Sequence, residues 1–423
     1  MSEEKKQPGF LGHLVNLMDR FTGDKVIFLI ALFLMLISVI SVFSSTPRLA
    51  NDTGSDRVTI MVDQLKVVAI GFFLIFTLYF LGRADWYKKL SMLGYAASIG
   101  VLIILVLNLN FGFVRAGEIN GARRILTVAG KQIHVYEFVK VFMIMYLGWA
   151  LDAYKNHSFR WANLLADKIP RLAFLGKDFW QKALYIYLPI LLTTFMVMMG
   201  SNSSAIFIGG IMILMILVGG ISGKEIGITI ALLLVGVGVM FGAYKAGVLK
   251  ESRIGTAISR ITQDDDATMQ TLLTAQRGTK QWNDARDELK QPVGAMLAIK
   301  EGGLLGKGIG NSTQKYAVPV IFGDYMFSFI VEETGIWGAA LIILLYFSLL
   351  ARGTMVAKEC DKYYDKMIVT GLILLVTGQA FMHMAVNVHL PLVLVYRHIG
   401  NRIGHDQRLA FSGFEKRRFC KGG

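Results

Sequence analysis

Val26–Phe43 reads VIFLIALFLMLISVISVF, a run with no charge and only two serines as polar groups. A helix rises about 1.5 Å per residue and the hydrocarbon core of a bilayer is about 30 Å thick, so a run near 20 apolar residues predicts a membrane-spanning helix. Eight further runs read the same way: Val67–Leu81, Leu93–Leu109, Val135–Leu151, Ala183–Met199, Ala205–Gly219, Ile226–Tyr244, Ile336–Leu350 and Ile368–Val388. Several hold a lone Gly or Ser, which lets membrane helices pack closely. Nine spans predict an all-α polytopic membrane protein.

Composition points the same way. Of 423 residues, 54% are hydrophobic and 17% charged, and mean hydropathy is +0.51. Soluble domains run about 45–50% apolar and about 25% charged. This excludes a disordered chain, and two cysteines, Cys360 and Cys420, exclude a disulfide scaffold. In a soluble protein the net charge of +14 would suggest nucleic acid. Here cytoplasmic loops explain it, and no nucleic-acid partner is expected. No cleavable signal peptide is read: Met1–Lys25 is mixed in charge and the run after it is too long for an h-region.

Lys and Arg in short loops set orientation. Four precede the first span, three lie between the second and third, six between the fourth and fifth, one (Lys224) between the sixth and seventh, and four between the eighth and ninth. The alternate short loops hold only Arg48, Arg57, Lys66, Arg115, Arg123, Arg124 and Lys131. The N-terminus is therefore expected in the cytoplasm. Three parts follow: a cytoplasmic arm (1–25), a transmembrane domain (26–391) with one large extracytoplasmic loop (245–323), and a basic tail (392–423). Chemistry on a polar substrate is expected at the large loop. Its acidic triplet, Asp264-Asp265-Asp266, reads as a solvated turn or helix start.

Three clusters could carry chemistry. Gly302-Gly303-Leu304-Leu305-Gly306-Lys307-Gly308-Ile309-Gly310-Asn311-Ser312 suggests a phosphate loop, but that motif needs Gly five residues before its Gly-Lys and Ser or Thr after the Lys. Glu301 and Gly308 stand there, so a glycine-rich turn near the membrane surface is the better reading. Asp324 lies where a polar loop enters an apolar helix, with Glu332 and Glu333 two turns on. A carboxyl at an apolar rim suits a general base, and helix capping is the plainer alternative. For Glu332 and Glu333 the plainer role is pairing with a basic residue. The third cluster is Asn120-Gly121-Ala122-Arg123-Arg124-Ile125 in an outer loop, followed by Glu137 and Lys140 on one helix face. Adjacent arginines suit a phosphate or pyrophosphate, or a lipid-interface anchor, and Glu137–Lys140 suits an intrahelical pair. No His, Cys and carboxylate set has metal-ligand spacing.

In this order and on this hydropathy profile, the clusters resemble the SEDS family of bacterial cell-wall polymerases (FtsW, RodA, SpoVE). Gln291, Ala298-Ile299, Gly302-Gly303-Leu304, Gly306-Lys307-Gly308, Gly310-Asn311-Ser312, Gln314-Lys315, Pro319, Asp324, Phe327, Glu332-Glu333 and Gly335 resemble its long-loop signature. Asn120–Arg124 with Glu137 and Lys140 resemble its motif around the fourth helix. The resemblance covers residues 20–391 and implies ten spans where nine are visible.

The resemblance implies a peptidoglycan glycosyltransferase of the bacterial plasma membrane that polymerises lipid II on the outer face, with a weak lean towards the division type from Ser259-Arg260-Ile261 and the long loop. It implies Asp324 as general base on the acceptor sugar's 4-hydroxyl. It makes Arg123, Arg124, Lys307, Glu137, Lys140, Gln314, Glu332 and Glu333 candidate substrate contacts, and Arg123, Arg124, Lys307 or a divalent cation (Mg or Mn) candidates to stabilise the leaving pyrophosphate. Implied partners are lipid II, a class B penicillin-binding protein transpeptidase, and membrane proteins of the divisome or elongasome.

Two stretches depart from the family pattern. Gly200-Ser201-Asn202-Ser203-Ser204-Ala205 stands where the family has a Glu-Pro-Asp-Leu-Gly-Thr-like motif. From Leu392 the resemblance stops, and seven basic residues face only Asp406 and Glu415, contributing +5 of the +14. That tail is expected to be foreign to the fold, the product of a shifted frame or truncation. Two other classes compete: a transporter of lipid-linked sugar, which calls for ionisable groups at mid-bilayer depth on several helices, and a non-catalytic scaffold for the transpeptidase.

Overall fold

The computed structural model describes residues 23–388, except 55, 83, 112–113, 120–121, 129–130, 246–270, 272–273, 277 and 319–320. Most of the N-terminal arm, the acidic triplet, Ser259-Arg260-Ile261 and the tail from Leu392 lie outside the described residues. Each of the nine apolar runs forms the body of a helix. In chain order the helices are α1 (Lys25–Ser45), α2 (Pro47–Thr53), α3 (Arg57–Leu81), α4 (Ala84–Val106), α5 (Val135–Lys155), α6 (Arg160–Lys168), α7 (Asp178–Lys182), α8 (Leu188–Met198), α9 (Asn202–Val218), α10 (Gly223–Lys245), α11 (Lys280–Gly302), α12 (Gln314–Ala317), α13 (Met326–Glu359) and α14 (Tyr363–Val388). A π-helical turn, Ala183–Tyr187, joins α7 to α8. Among the described residues six segments are long and apolar enough to cross a membrane: Lys25–Ser45, Arg57–Phe80, Trp86–Val106, Asp178–Met198, Met326–Glu359 and Tyr363–Val388.

Three helices start well before the apolar runs that announce them. α3 begins at Arg57 rather than Val67, α4 at Ala84 rather than Leu93, and α13 at Met326 rather than Ile336. Hydropathy marks the part of a helix that lies in hydrocarbon, whereas backbone hydrogen bonding continues into the polar layer. On α3 the extension carries an exposed Lys66–Asp63 pair at 2.8 Å.

The Cα positions divide into two compact units. The first comprises Met1–Met35, Val67–Thr262 and Leu344–Gln379. Its core is made by α5, α8 and α9, where Met143, Ile144, Leu147, Ile190, Ile208 and Met212 are fully buried. The segment expected as a plain outer loop is instead a three-stranded antiparallel meander: β1 (Val114–Ile119), β2 (Ala122–Val128) and β3 (Lys131–His134). The register sets Ile119 against Ala122 and Val128 against Lys131. The two residues between Ile119 and Ala122 are Asn-Gly, the strongest short hairpin signal. The stretch Gly200–Ala205 contains the start of α9, which Ser201 caps by accepting from the Ser204 N–H at 3.4 Å.

The second unit comprises Leu36–Lys66, Gln263–Ile343 and Ala380–Gly423. Much of the expected large loop is folded here. Thr279 caps α11, accepting from the Trp282 N–H at 3.3 Å. Ala285, Leu289 and Val293, four residues apart, form its buried stripe. Ala295 from α11, Val318, Ile321 and Tyr325 from the turns, and Phe329 from α13 close a small core.

Candidate functional site

The second unit gathers the glycine-rich loop, Glu332, Glu333 and Asp324. The decisive local feature is Gly335, where α13 breaks with φ 71° and ψ −168°, a region open essentially to glycine alone. The break frees backbone groups, and the loop supplies their partners. Lys307 N–H donates to the Glu332 carbonyl and Gly308 N–H to the Glu333 carbonyl, both at 2.9 Å, while Ile336 N–H donates to the Gly303 carbonyl at 3.0 Å. The chains approach so closely that a Cβ on Gly306 would sit 2.3 Å from the Glu333 oxygen, and one on Gly335 2.4 Å from the Leu304 oxygen. The glycines are thus required for docking a loop on a broken helix, not for cradling a phosphate.

Side chains fasten the same junction. Glu332 is fully buried. Its Oε1 accepts from Lys307 Nζ at 2.6 Å, Thr313 N–H at 2.8 Å and Thr313 Oγ1 at 3.0 Å, and its Oε2 accepts from Ser312 Oγ. Gln314 contributes its backbone N–H at 3.4 Å. A buried carboxylate persists when donors and a counter-charge surround it, as they do here. Glu333, also buried, accepts from Ser44 Oγ at 2.7 Å and Gly310 N–H at 3.0 Å. Lys307 Nζ also donates to Glu301 and to Thr313 Oγ1. Burial pulls the Lys307 pKa down, but Glu301 and Glu332 outweigh it and the net shift is upward. For Glu301 burial pulls upward, and the Lys307 ammonium with Thr313 and Gln314 brings the net shift downward.

Asp324 stands apart from this network. It lies in the turn two residues before α13 and is exposed. Among the described residues no donor is bonded to its carboxylate, so capping does not occupy it. Its backbone is fixed from the end of α14: Asn387 Nδ2 donates to the Asp324 carbonyl at 2.6 Å and to the His383 carbonyl at 2.8 Å. The Asn387 Oδ1 accepts from Ser328 N–H and Ser328 Oγ, each at 2.9 Å. Asn387 is 1% exposed. One buried amide therefore joins the turn bearing Asp324, the first turn of α13 and the last turn of α14.

The sequence candidates thus separate. Glu332 pairs with Lys307, Glu333 is held by the neutral donors Ser44 Oγ and Gly310 N–H rather than by a basic residue, and Gln314 takes part through its backbone. Lys307 was expected to face a leaving pyrophosphate; its three N–H donors instead engage Glu301, Glu332 and Thr313. In the first unit, Lys140 is buried and pairs with Glu137 at 2.7 Å, as the spacing predicts, and also meets Gln379 at 3.2 Å. Arg123 and Arg124 lie on β2, Arg123 in register with Glu118; their side chains are outside the described residues. Sequence reading missed Asn387, Ser44 and the break at Gly335. Only Asn387 leaves a trace, as an amide in an apolar helix. Among the described residues no group of three or more His, Cys, Asp or Glu is placed to hold a metal ion.

Comparison with known proteins follows the same stretch of chain. Residues 24–393 match the family model for the FtsW/RodA/SpoVE cell cycle proteins. The chain is 24% identical to a probable peptidoglycan glycosyltransferase FtsW of Pseudomonas fluorescens (strain SBW25), over 85% of this chain and 78% of that protein. It is 25% identical to stage V sporulation protein E of Bacillus subtilis (strain 168), covering 86% of this chain and 87% of the relative. Among solved structures, a chain from a peptidoglycan synthase complex that coordinates polymerisation and crosslinking superposes with a TM-score of 0.58, at 19% identity over 87% of this chain and 88% of that one. The rod shape-determining protein RodA of Thermus thermophilus, as a variant, gives 0.51 at 19% identity, over 87% of each chain. With a family model spanning most of its length and a helical membrane fold shared with RodA, the chain belongs to the FtsW/RodA/SpoVE family.

Proposed function

We propose that this protein is a peptidoglycan glycosyltransferase that polymerises lipid II at the outer face of the bacterial plasma membrane, with its N-terminus in the cytoplasm. The observation that carries the reading is Asp324: an exposed carboxylate with no bonded donor among the described residues, on a turn fixed by Asn387, in a family whose named relatives include probable peptidoglycan glycosyltransferases. In this reading the Asp324 carboxylate takes the proton of the acceptor sugar's 4-hydroxyl as that oxygen attacks the anomeric carbon. The bond from that carbon to undecaprenyl pyrophosphate breaks, and the leaving group takes the electron pair. General-base assistance contributes about 10²–10⁴-fold. Among the described residues no group of carboxylates is placed to hold the expected Mg or Mn, and no step is assigned to it.

The named synthase complex also supports a class B penicillin-binding protein as partner, and the FtsW relatives support a place in cell division. The test is polymerisation of fluorescent lipid II by the purified chain, with glycan strands resolved on a gel. Strands from the wild type and none from Asp324→Ala at equal folded amount are expected; strands from both would refute the assignment of Asp324.

A further inference from the structure

The glycine-rich loop carries a feature that its latch on α13 does not explain. Leu304, Leu305 and Ile309 are 66%, 83% and 64% exposed. Between Glu301 and Lys315 the loop's one charge is Lys307, which is drawn inward to Glu301 and Glu332. The tip is therefore an uncharged apolar surface on an otherwise polar segment.

Its depth follows from the helix it docks on. Between the break at Gly335 and Arg352 α13 holds an uncharged helical run, Ile336–Ala351, which rises about 24 Å, most of the hydrocarbon thickness of about 30 Å. Its end at Gly335-Ile336 must lie at the boundary between hydrocarbon and head groups. Gly303 is bonded to Ile336, and Leu304 crosses in contact with Gly335, so the tip lies at that same level. Beside it on α13, Ile336, Trp337 and Leu341 are 53%, 69% and 53% exposed, continuing the apolar surface down the spanning helix. Tryptophan at this depth is the usual interfacial anchor.

We propose that Leu304, Leu305 and Ile309, with Trp337, are seated in the interfacial layer of the bilayer, so that lipid covers the loop tip. The loop is then a shallow membrane anchor that sets the depth of the Glu332–Glu333 junction. Continuity with the lipid-facing surface of α13 and the lack of outward charge select lipid over a protein partner.

The test uses full-length protein in nanodiscs, with Cys360 and Cys420 replaced by alanine and one cysteine introduced at Leu305→Cys or, as an aqueous control, at the exposed Lys300→Cys. Each is labelled with an environment-sensitive fluorophore. A lipid nitroxide at head-group depth should quench the probe at 305 several times more strongly than the probe at 300, and aqueous iodide should do the reverse. Iodide quenching at 305 equal to that at 300 would overturn the proposal. So would protection at 305 from both quenchers, which would mean that protein covers the tip.

Discussion

At the scale of single residues, one buried amide, Asn387, holds the turn that bears Asp324. Asn387→Ala removes the acceptor of the buried Ser328 N–H and the donor to the Asp324 carbonyl. Leaving such groups unpaired costs about 1–3 kcal/mol. The variant should melt at a lower temperature and polymerise more slowly, whereas substitution of Lys300, exposed on α11, should change neither. Thermal denaturation beside initial rates checks both parts. Asp324, Glu332 and Glu333 were legible as residues in the sequence, because carboxyls beside an apolar run are expensive and draw notice. Their separation into one exposed group and two buried ones was not. It depends on donors brought from positions far apart in the chain, such as Ser44 for Glu333, and spacing carries no trace of that.

At the scale of elements, the loop and the broken helix form one latch. Gly335→Ala forces a side chain into backbone that only glycine tolerates and drives its Cβ against the Leu304 carbonyl. A cost of about 2 kcal/mol or more is expected, read as a lower melting temperature and faster proteolysis between α11 and α13. The latch should also respond to pH. The Glu301 pKa is lowered by folding, so its contribution is present above its unfolded value of about 4.3 and is lost as pH falls through the folded pKa. Lys307, raised by folding, contributes fully below about 10.4 and loses that contribution as pH rises through its folded pKa. Hydrogen exchange of the loop amides should therefore stay slow, relative to intrinsic rates, from about pH 5 to 10, with excess opening at acid pH that Glu301→Gln reduces. The helices themselves were plain in the apolar runs. The meander is weakly marked in the sequence although Asn120-Gly121 announces a hairpin, because Arg115, Glu118, Arg123 and Arg124 interrupt the apolar alternation of its short strands. The break at Gly335 was hidden because a lone glycine is ordinary in a membrane helix.

At the scale of the whole molecule, membrane class and family were legible early, since hydropathy and the ordered signature from Gln291 to Gly335 are both local in sequence. Orientation is a separate claim, resting on the basic residues of alternate loops. With native cysteines removed, a cysteine replacing His157, in the exposed turn after α5, should resist a membrane-impermeant maleimide in intact cells, and one replacing Lys300 should react. The opposite pattern would invert the topology and place Asp324 on the wrong face for lipid II polymerisation. The central claim is that Asp324 serves as the base, and its most direct measurement is the initial rate of glycan polymerisation by purified wild type and Asp324→Asn, matched by melting temperature. The isosteric amide keeps the turn and loses the basic oxygen, so the rate should fall by about 10²-fold or more with the fold unchanged. A rate within a few fold of wild type would contradict the account.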